Sequence, residues 1–160
     1  MHDSHTDSLS TAVLKVGIDL GGTKIEIIVL SAQGDTLLRQ RISTPTKHDF
    51  NSAKSQYQAI IAAIKQLISA SEEQLQTKLL NQTSLHIGIG IPGAISPATG
   101  LVKNANTTCL IGQPFQQDLE QSLNCRIKIA NDADCFVLSE AKDGAAKGAD
   151  SVFGIIIGTG

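Results

Sequence analysis

The residues best suited to chemistry come early, in Val16-Gly17-Ile18-Asp19-Leu20-Gly21-Gly22-Thr23-Lys24. An aspartate stands near the end of an apolar run, two glycines follow, and a hydroxyl and an ammonium close the turn before a second apolar run starts at Ile25. Glycines at such a turn allow positive φ and leave no Cβ between the backbone N–H groups and an approaching anion. Asp19 could hold a metal ion or its water shell, and Lys24 could offset phosphate charge. The same residues also suit a glycine-rich hairpin with no ligand at all.

Other polar points follow apolar runs in the same way: Gly93 after 85–91, Asn131-Asp132 after 126–130, and Gly158-Thr159-Gly160 after 153–157. In open α/β sheets ligands collect at the carboxyl ends of the strands, so parallel strands here would bring these residues to one rim. Residues 153–160 align without a gap on 16–23, and such a repeat implies a second, related domain. Two glycine turns facing each other across a cleft suit the polyphosphate of ATP. Asp132 would then be a rim carboxylate able to take a proton from a substrate hydroxyl. Asn131-Asp132-Ala133-Asp134 reads equally well as a helix N-cap cluster.

The elements that must position these groups are legible from periodicity. Strands are expected over 13–20, 25–30 and 36–43, joined by connections short enough for an antiparallel meander. A helix is expected over 51–70, with Tyr57, Ile60, Ile61, Ile64, Leu67 and Ile68 on one face. A strand over 85–91 leads into a long polar loop, 96–112, containing Asn104 and Asn106. Pro114 fits the first turn of a helix carrying Phe115, Leu119 and Leu123, and a strand over 126–130 precedes a last helix ending near Lys142. The order βββ-α-β-α-β-α gives an α/β fold, a mixed sheet with helices on its faces. Residues 1–12 read as a disordered tail, 13–148 as one domain, and 149–160 as the first strand of a second.

Composition removes several alternatives. The 160 residues carry a net charge of −2 and only 3% aromatics, which argues against nucleic acid as a partner. No run approaches the roughly 20 apolar residues of a membrane span, and the polar first residues lack a signal peptide's basic and apolar regions. Cys109, Cys125 and Cys135 form no CxxC pair and are expected as buried free thiols in a reducing cytoplasm.

Taken together, GIDLGGTK (17–24), GIGIPGAISPATG (88–100), NAN (104–106), ANDADCFVLSEA (130–141) and IIGTG (156–160) resemble the ROK group of bacterial sugar kinases and repressors. That group lies within the actin-like ATPase superfamily, so the resemblance implies a ribonuclease H-like domain. Segment 88–115 is most similar to bacterial fructokinases of the manno(fructo)kinase type, with N-acetylglucosamine kinases next.

The resemblance implies that Gly17, Gly21, Gly22, Thr23 and Lys24 serve a first phosphate loop, and Gly158, Thr159 and Gly160 begin a second. Asp19 would hold Mg²⁺ through water, and Asp132 would be the general base. Asn106, Asn131, Asp132 and the Gly93 turn would hold the hydroxyls of a small hexose. The implied activity is ATP-dependent phosphorylation of a hexose at its 6-hydroxyl, with fructose first and N-acetylglucosamine or glucose as alternatives. From another class comes a non-catalytic sugar-sensing regulator. Regulators of the group carry a DNA-binding domain ahead of the first loop, for which 1–14 is too short. The resemblance allows a homodimer, and a structural zinc whose Cys/His ligands are not among these residues. With half a nucleotide site, these residues alone are expected to be inactive.

Two positions depart from the group's pattern: Asp134, usually Asn, and Cys109, commonly Trp. A second carboxylate beside Asp132 is expected to raise the pKa of the base.

Overall fold

The computed structural model describes residues 14–76, 79 and 86–156. Apolar side chains at alternate positions set the sheet. Val16, Ile18 and Leu20 of β1 (Lys15–Leu20), Ile25, Ile27 and Val29 of β2 (Lys24–Leu30), and Leu38 of β3 (Thr36–Ser43) all point into one core. β4 (His86–Ile91) adds Ile87, Ile89 and Ile91, and β7 (Ile127–Asn131) adds Ile127. Spatial order is β3-β2-β1-β4-β7. β1 pairs antiparallel with β2, and β2 with β3, whereas β1, β4 and β7 run parallel. This is the expected α/β architecture with a mixed sheet.

Two helices cover the core face. α1 (Ala53–Leu75) starts at Ser52, whose hydroxyl accepts from Ser55 N at 3.1 Å, and it ends at Gln76 in the left-handed region at φ 51°. It buries Tyr57, Ile60, Ile64, Leu67 and Ile68, and runs one turn beyond the expected end. α2 (Phe115–Leu123) buries the expected Phe115, Leu119 and Leu123. The two helices join where Tyr57 stacks edge-on against Phe115, ring centres 6.0 Å apart, and donates its hydroxyl to Asp118 Oδ2 at 2.5 Å. Burial of the phenol and that acceptor push the Tyr57 pKa up, out of the working range.

Among the described residues the opposite sheet face carries only α3 (Asp132–Lys142), none of whose residues is fully buried. Sequence patterning had no means to show which face lies open. As a result Cys135, expected to be buried, is exposed on α3, while Cys125 is half-buried and Cys109 buried; all three are free.

Two further expectations are corrected. The polar loop 96–112 is a packed unit. Within it β6 (Val102–Lys103) pairs back on β5 (Ala94–Ile95), just ahead of the loop, as a small ribbon, and Ala105, Cys109 and Leu110 enter the core. Residues 152–156, expected to form a strand, do not: a strand is defined by a partner, and they pair with nothing among the described residues. Phe153 is 88% exposed there. Residues 1–13 and 157–160 lie outside the described residues, and with them the tail and the second glycine turn, Gly158, Thr159 and Gly160. No helix among the described residues is long and apolar enough to cross a membrane.

Candidate active site

The parallel strands bring Asp19, Gly90 and Ala130 into one row across the sheet, since Asp19 registers with Gly90 and Gly90 with Ala130. Neighbouring strands are about 4.8 Å apart, so the outer two positions are separated by roughly 10 Å. Directly after Ala130 the chain turns into α3, which folds back over Gly90. A Cβ built on Gly90 would lie 3.7 Å from both Asp132 Cα and Cys135 Sγ. Gly90 is therefore the floor between the two carboxylates. An open cleft of about 520 Å³ lies here, lined by Gly17, Asp19, Glu26, Gly90, Asp132 and Cys135 among others.

Partial desolvation, then the charge of Asp132 and lastly that of Glu26, hold the Asp19 carboxyl above its ordinary 3.8. Glu26 registers directly opposite Asp19 across the β1–β2 pair, where like charges are unfavourable. Arg39 on β3 offsets Glu26, donating to its Oε1 from Nε at 2.8 Å and Nη2 at 2.5 Å. The negative charge left at the cleft belongs to Asp19 and Asp132. That donor set, a carboxylate repelled by its neighbours and open to solvent, fits a hydrated divalent cation.

Asp132 is the first residue of α3, is exposed and lines the cleft; its Oδ1 accepts from Ala133 N at 2.8 Å, and its Oδ2 has no hydrogen bond among the described residues. Asn131 caps the helix: its Oδ1 accepts from Ala133 N at 3.0 Å and Asp134 N at 3.3 Å. Its Nδ2 donates to the Gly93 carbonyl at 3.0 Å. The preceding carbonyl, that of Pro92, accepts from Asn106 N at 2.9 Å. The Pro92-Gly93 turn thus joins Asn106 on the loop to Asn131 at the helix start, so Asn131 both caps α3 and ties it to that turn.

Gly93 itself is buried against this loop. A Cβ there would come within 2.9 Å of Ala105 Cβ and 3.0 Å of Lys103 O, so glycine is needed for close packing. Asn106 is exposed beside it.

The turn after β1 is a hairpin loop, as the ligand-free alternative required, and its glycines behave differently from expectation. Neither Gly21 nor Gly22 adopts a positive φ. Gly21 is required because a Cβ would lie 3.0 Å from Lys24 O, whereas Gly22 faces open space. Gly22, Thr23 and Lys24 are exposed. Gly17 lies in mid-strand beside Gly88, at the cleft floor and apart from the turn.

Asp134 falls outside the cleft. It lines a separate hollow with Val137, Leu138 and Phe153. Local desolvation, and then Asp134, Asp132 and Asp19, push the Cys135 thiol up from its ordinary value, which disfavours the thiolate.

Sequence reasoning missed Gly90 and Glu26. Gly90 was visible only as one of two glycines alternating with isoleucine in 87–91. Glu26 was the sole acid in an apolar strand, facing Asp19 once the hairpin register is known.

The sequence pattern of the ROK family matches residues 15–160. The chain belongs to the ROK family. It is 35% identical over 147 residues to the N-acetyl-D-glucosamine kinase of Pasteurella multocida, covering 92% of this chain and 44% of that protein. The ROK-family glucokinase of Streptomyces griseus, solved with glucose and AMPPNP, superposes with a TM-score of 0.65 at 25% identity, over 86% of this chain and 39% of the glucokinase. The inorganic polyphosphate/ATP-glucomannokinase of Arthrobacter sp. strain KM shares the fold, at a TM-score of 0.67 and 23% identity, over 86% of this chain and 51% of that one. The chain therefore has the actin-like ATPase fold of ROK sugar kinases and spans less than half the length of the curated relative it matches at 35% identity.

Proposed function

We propose that the protein is an ATP- and Mg²⁺-dependent hexose kinase, and that these residues supply its hydroxyl-activating rim and first phosphate turn. The observation that carries this reading is the pairing of Asp19 and Asp132 across the Gly90 floor, with the glycine turn at the end of the same strand as Asp19. In the reaction, the sugar oxygen attacks the terminal phosphorus of ATP, the bond to the bridging oxygen of ADP breaks, and Asp132 takes the hydroxyl proton. Asn106 and Asn131, tied together through the Pro92-Gly93 turn, hold the sugar so that its hydroxyl meets Asp132. Gly21, Gly22, Thr23 and Lys24 would receive phosphate oxygens, and Asp19 would hold Mg²⁺ through water; the ion, when bound, would offset phosphate charge. We assign residues 149–160 to the start of a second domain, and Gly158, Thr159 and Gly160 to its share of phosphate binding.

For the sugar, the named relative favours N-acetylglucosamine over fructose. Fructose is kept as a second reading on the likeness of segment 88–115 to fructokinases. The test is kcat/KM of the full-length protein with ATP on N-acetylglucosamine, fructose, mannose and glucose. N-acetylglucosamine is expected to rank first. Fructose ranking first would reverse that choice alone, and sugar binding without turnover would favour the regulator.

A further inference from the structure

Thr44 follows β3 and is a buried polar residue, 3% exposed, at the base of the glycine turn. Its N–H donates to Thr23 O at 3.0 Å, and its hydroxyl donates to Gly21 O at 2.8 Å. Two carbonyls of the turn are thus drawn to one residue, while Gly21 N closes the turn on Lys24 O at 2.9 Å. No peptide bond here is cis, and a trans peptide carries its C=O and the following N–H on opposite sides. Fixing the Gly21 carbonyl on Thr44 therefore turns the Gly22 N–H away from the core. That N–H has no hydrogen bond among the described residues, and a Cβ on Gly22 would meet nothing within 4 Å.

Thr44 is held firmly from its other side. The carbonyl of Pro45 accepts from Gln56 Nε2 at 3.0 Å, and Gln56 is buried on α1. Beyond it, Asp49 Oδ2 accepts from Thr46 N at 3.0 Å and from Thr46 Oγ1 at 2.8 Å, fixing the chain as it enters α1. The turn is thereby braced against α1, the longest helix among the described residues, by one threonine.

We infer that Thr44 is a positioning residue for the nucleotide: its hydroxyl presets the Gly21–Gly22 peptide so that the Gly22 N–H meets a phosphate oxygen of ATP. The inference rests on the kinase reading above. A donor aimed before the ligand arrives needs no reordering on binding, which is why a residue that never touches phosphate can set affinity for it. Without the hydroxyl, the Gly21 carbonyl loses its partner and rotates toward water, and the Gly22 N–H turns with it.

The test compares Thr44→Val, which keeps shape and the backbone bond but loses the hydroxyl, with Thr44→Ser, which keeps the hydroxyl. Both are made in the full-length protein and read by KM for ATP, KM for sugar and Kd for AMPPNP. In Thr44→Val, KM for ATP and Kd for AMPPNP are expected to rise about tenfold, one hydrogen bond's effect. KM for sugar should stay within about twofold, and Thr44→Ser should stay near the parent. Equal AMPPNP affinity in Thr44→Val and parent, or equal worsening of the ATP and sugar constants, overturns the inference. Thr44→Ala gives the same comparison if Thr44→Val folds poorly. A parent that binds AMPPNP without turning over sugar defeats the kinase reading, yet the Kd comparison still decides the role of Thr44. A parent that does not bind AMPPNP overturns both.

Discussion

Asn131 Nδ2 reaches back to the carbonyl of Gly93 at 3.0 Å, joining the start of α3 to a turn 38 positions earlier. The same side chain accepts from Ala133 N and Asp134 N, so one amide caps a helix and sets its distance from the loop bearing Asn106. Asn131→Ser is expected to keep most of the capping while losing the bond to Gly93, and Asn131→Ala to lose both. Thermal melts should order parent, Asn131→Ser and Asn131→Ala, with the alanine variant down by about 1–3 kcal/mol. Serine melting with the parent would mean that the Gly93 bond adds nothing.

Asp132 is exposed and makes one local bond, so its removal should be quiet for folding and loud for turnover. In the full-length protein Asp132→Asn is expected to lower kcat by at least about 10²-fold, the scale of a lost general base, with an unchanged melt. Undiminished kcat would reduce the residue to the first position of a helix.

Asp134 gives the matching control. Because it lines the hollow beside Phe153 and not the cleft, Asp134→Asn should leave the acidic limb of the kcat/KM–pH profile where it is. This reverses the expectation drawn from sequence spacing, and movement of that limb to lower pH would restore it.

The Asp19 carboxyl, raised above 3.8 by desolvation, Asp132 and Glu26, binds its proton more tightly folded than unfolded. Its stabilising contribution is therefore complete below 3.8 and is lost as pH rises through the folded-state value. Without Mg²⁺, Asp19→Asn should melt higher than the parent at pH 7, and the difference should vanish below 3.8. A gain that persists undiminished in acid would contradict this origin.

Gly93 and Gly22 separate packing from binding. Gly93→Ala forces a Cβ to within 2.9–3.0 Å of Ala105 and Lys103, and should destabilise by about 1–3 kcal/mol in denaturant melts. Gly22→Ala meets open space, so its melt should match the parent while KM for ATP rises in the full-length protein.

Much of this rim was legible in the sequence. Asp19, Gly93 and Asn131-Asp132 each close an apolar run, and three runs joined by helical crossovers must lie parallel, so their ends meet. What escaped depends on partners far away in the chain. Thr44 is unremarkable until the register of β3 sets it behind Gly21. Cys135 looks like any helical thiol until one sheet face proves uncovered. The apolar run 152–156 has the composition of a strand, but composition cannot supply a neighbour to pair with.

The sheet's mixed pairing also has a consequence in time. β1, β2 and β3 are linked by turns of a few residues, whereas β4 and β7 reach their neighbours only after the chain has passed through α1 and α2. Short closures form faster than long ones. The Gly21–Lys24 turn and Thr44 lie in the local part of the sheet, the part expected to form early. The acid–amide rim belongs to the late part, so a folding intermediate carrying only the meander would already have the Gly22 donor aimed, with Asp132 not yet beside it.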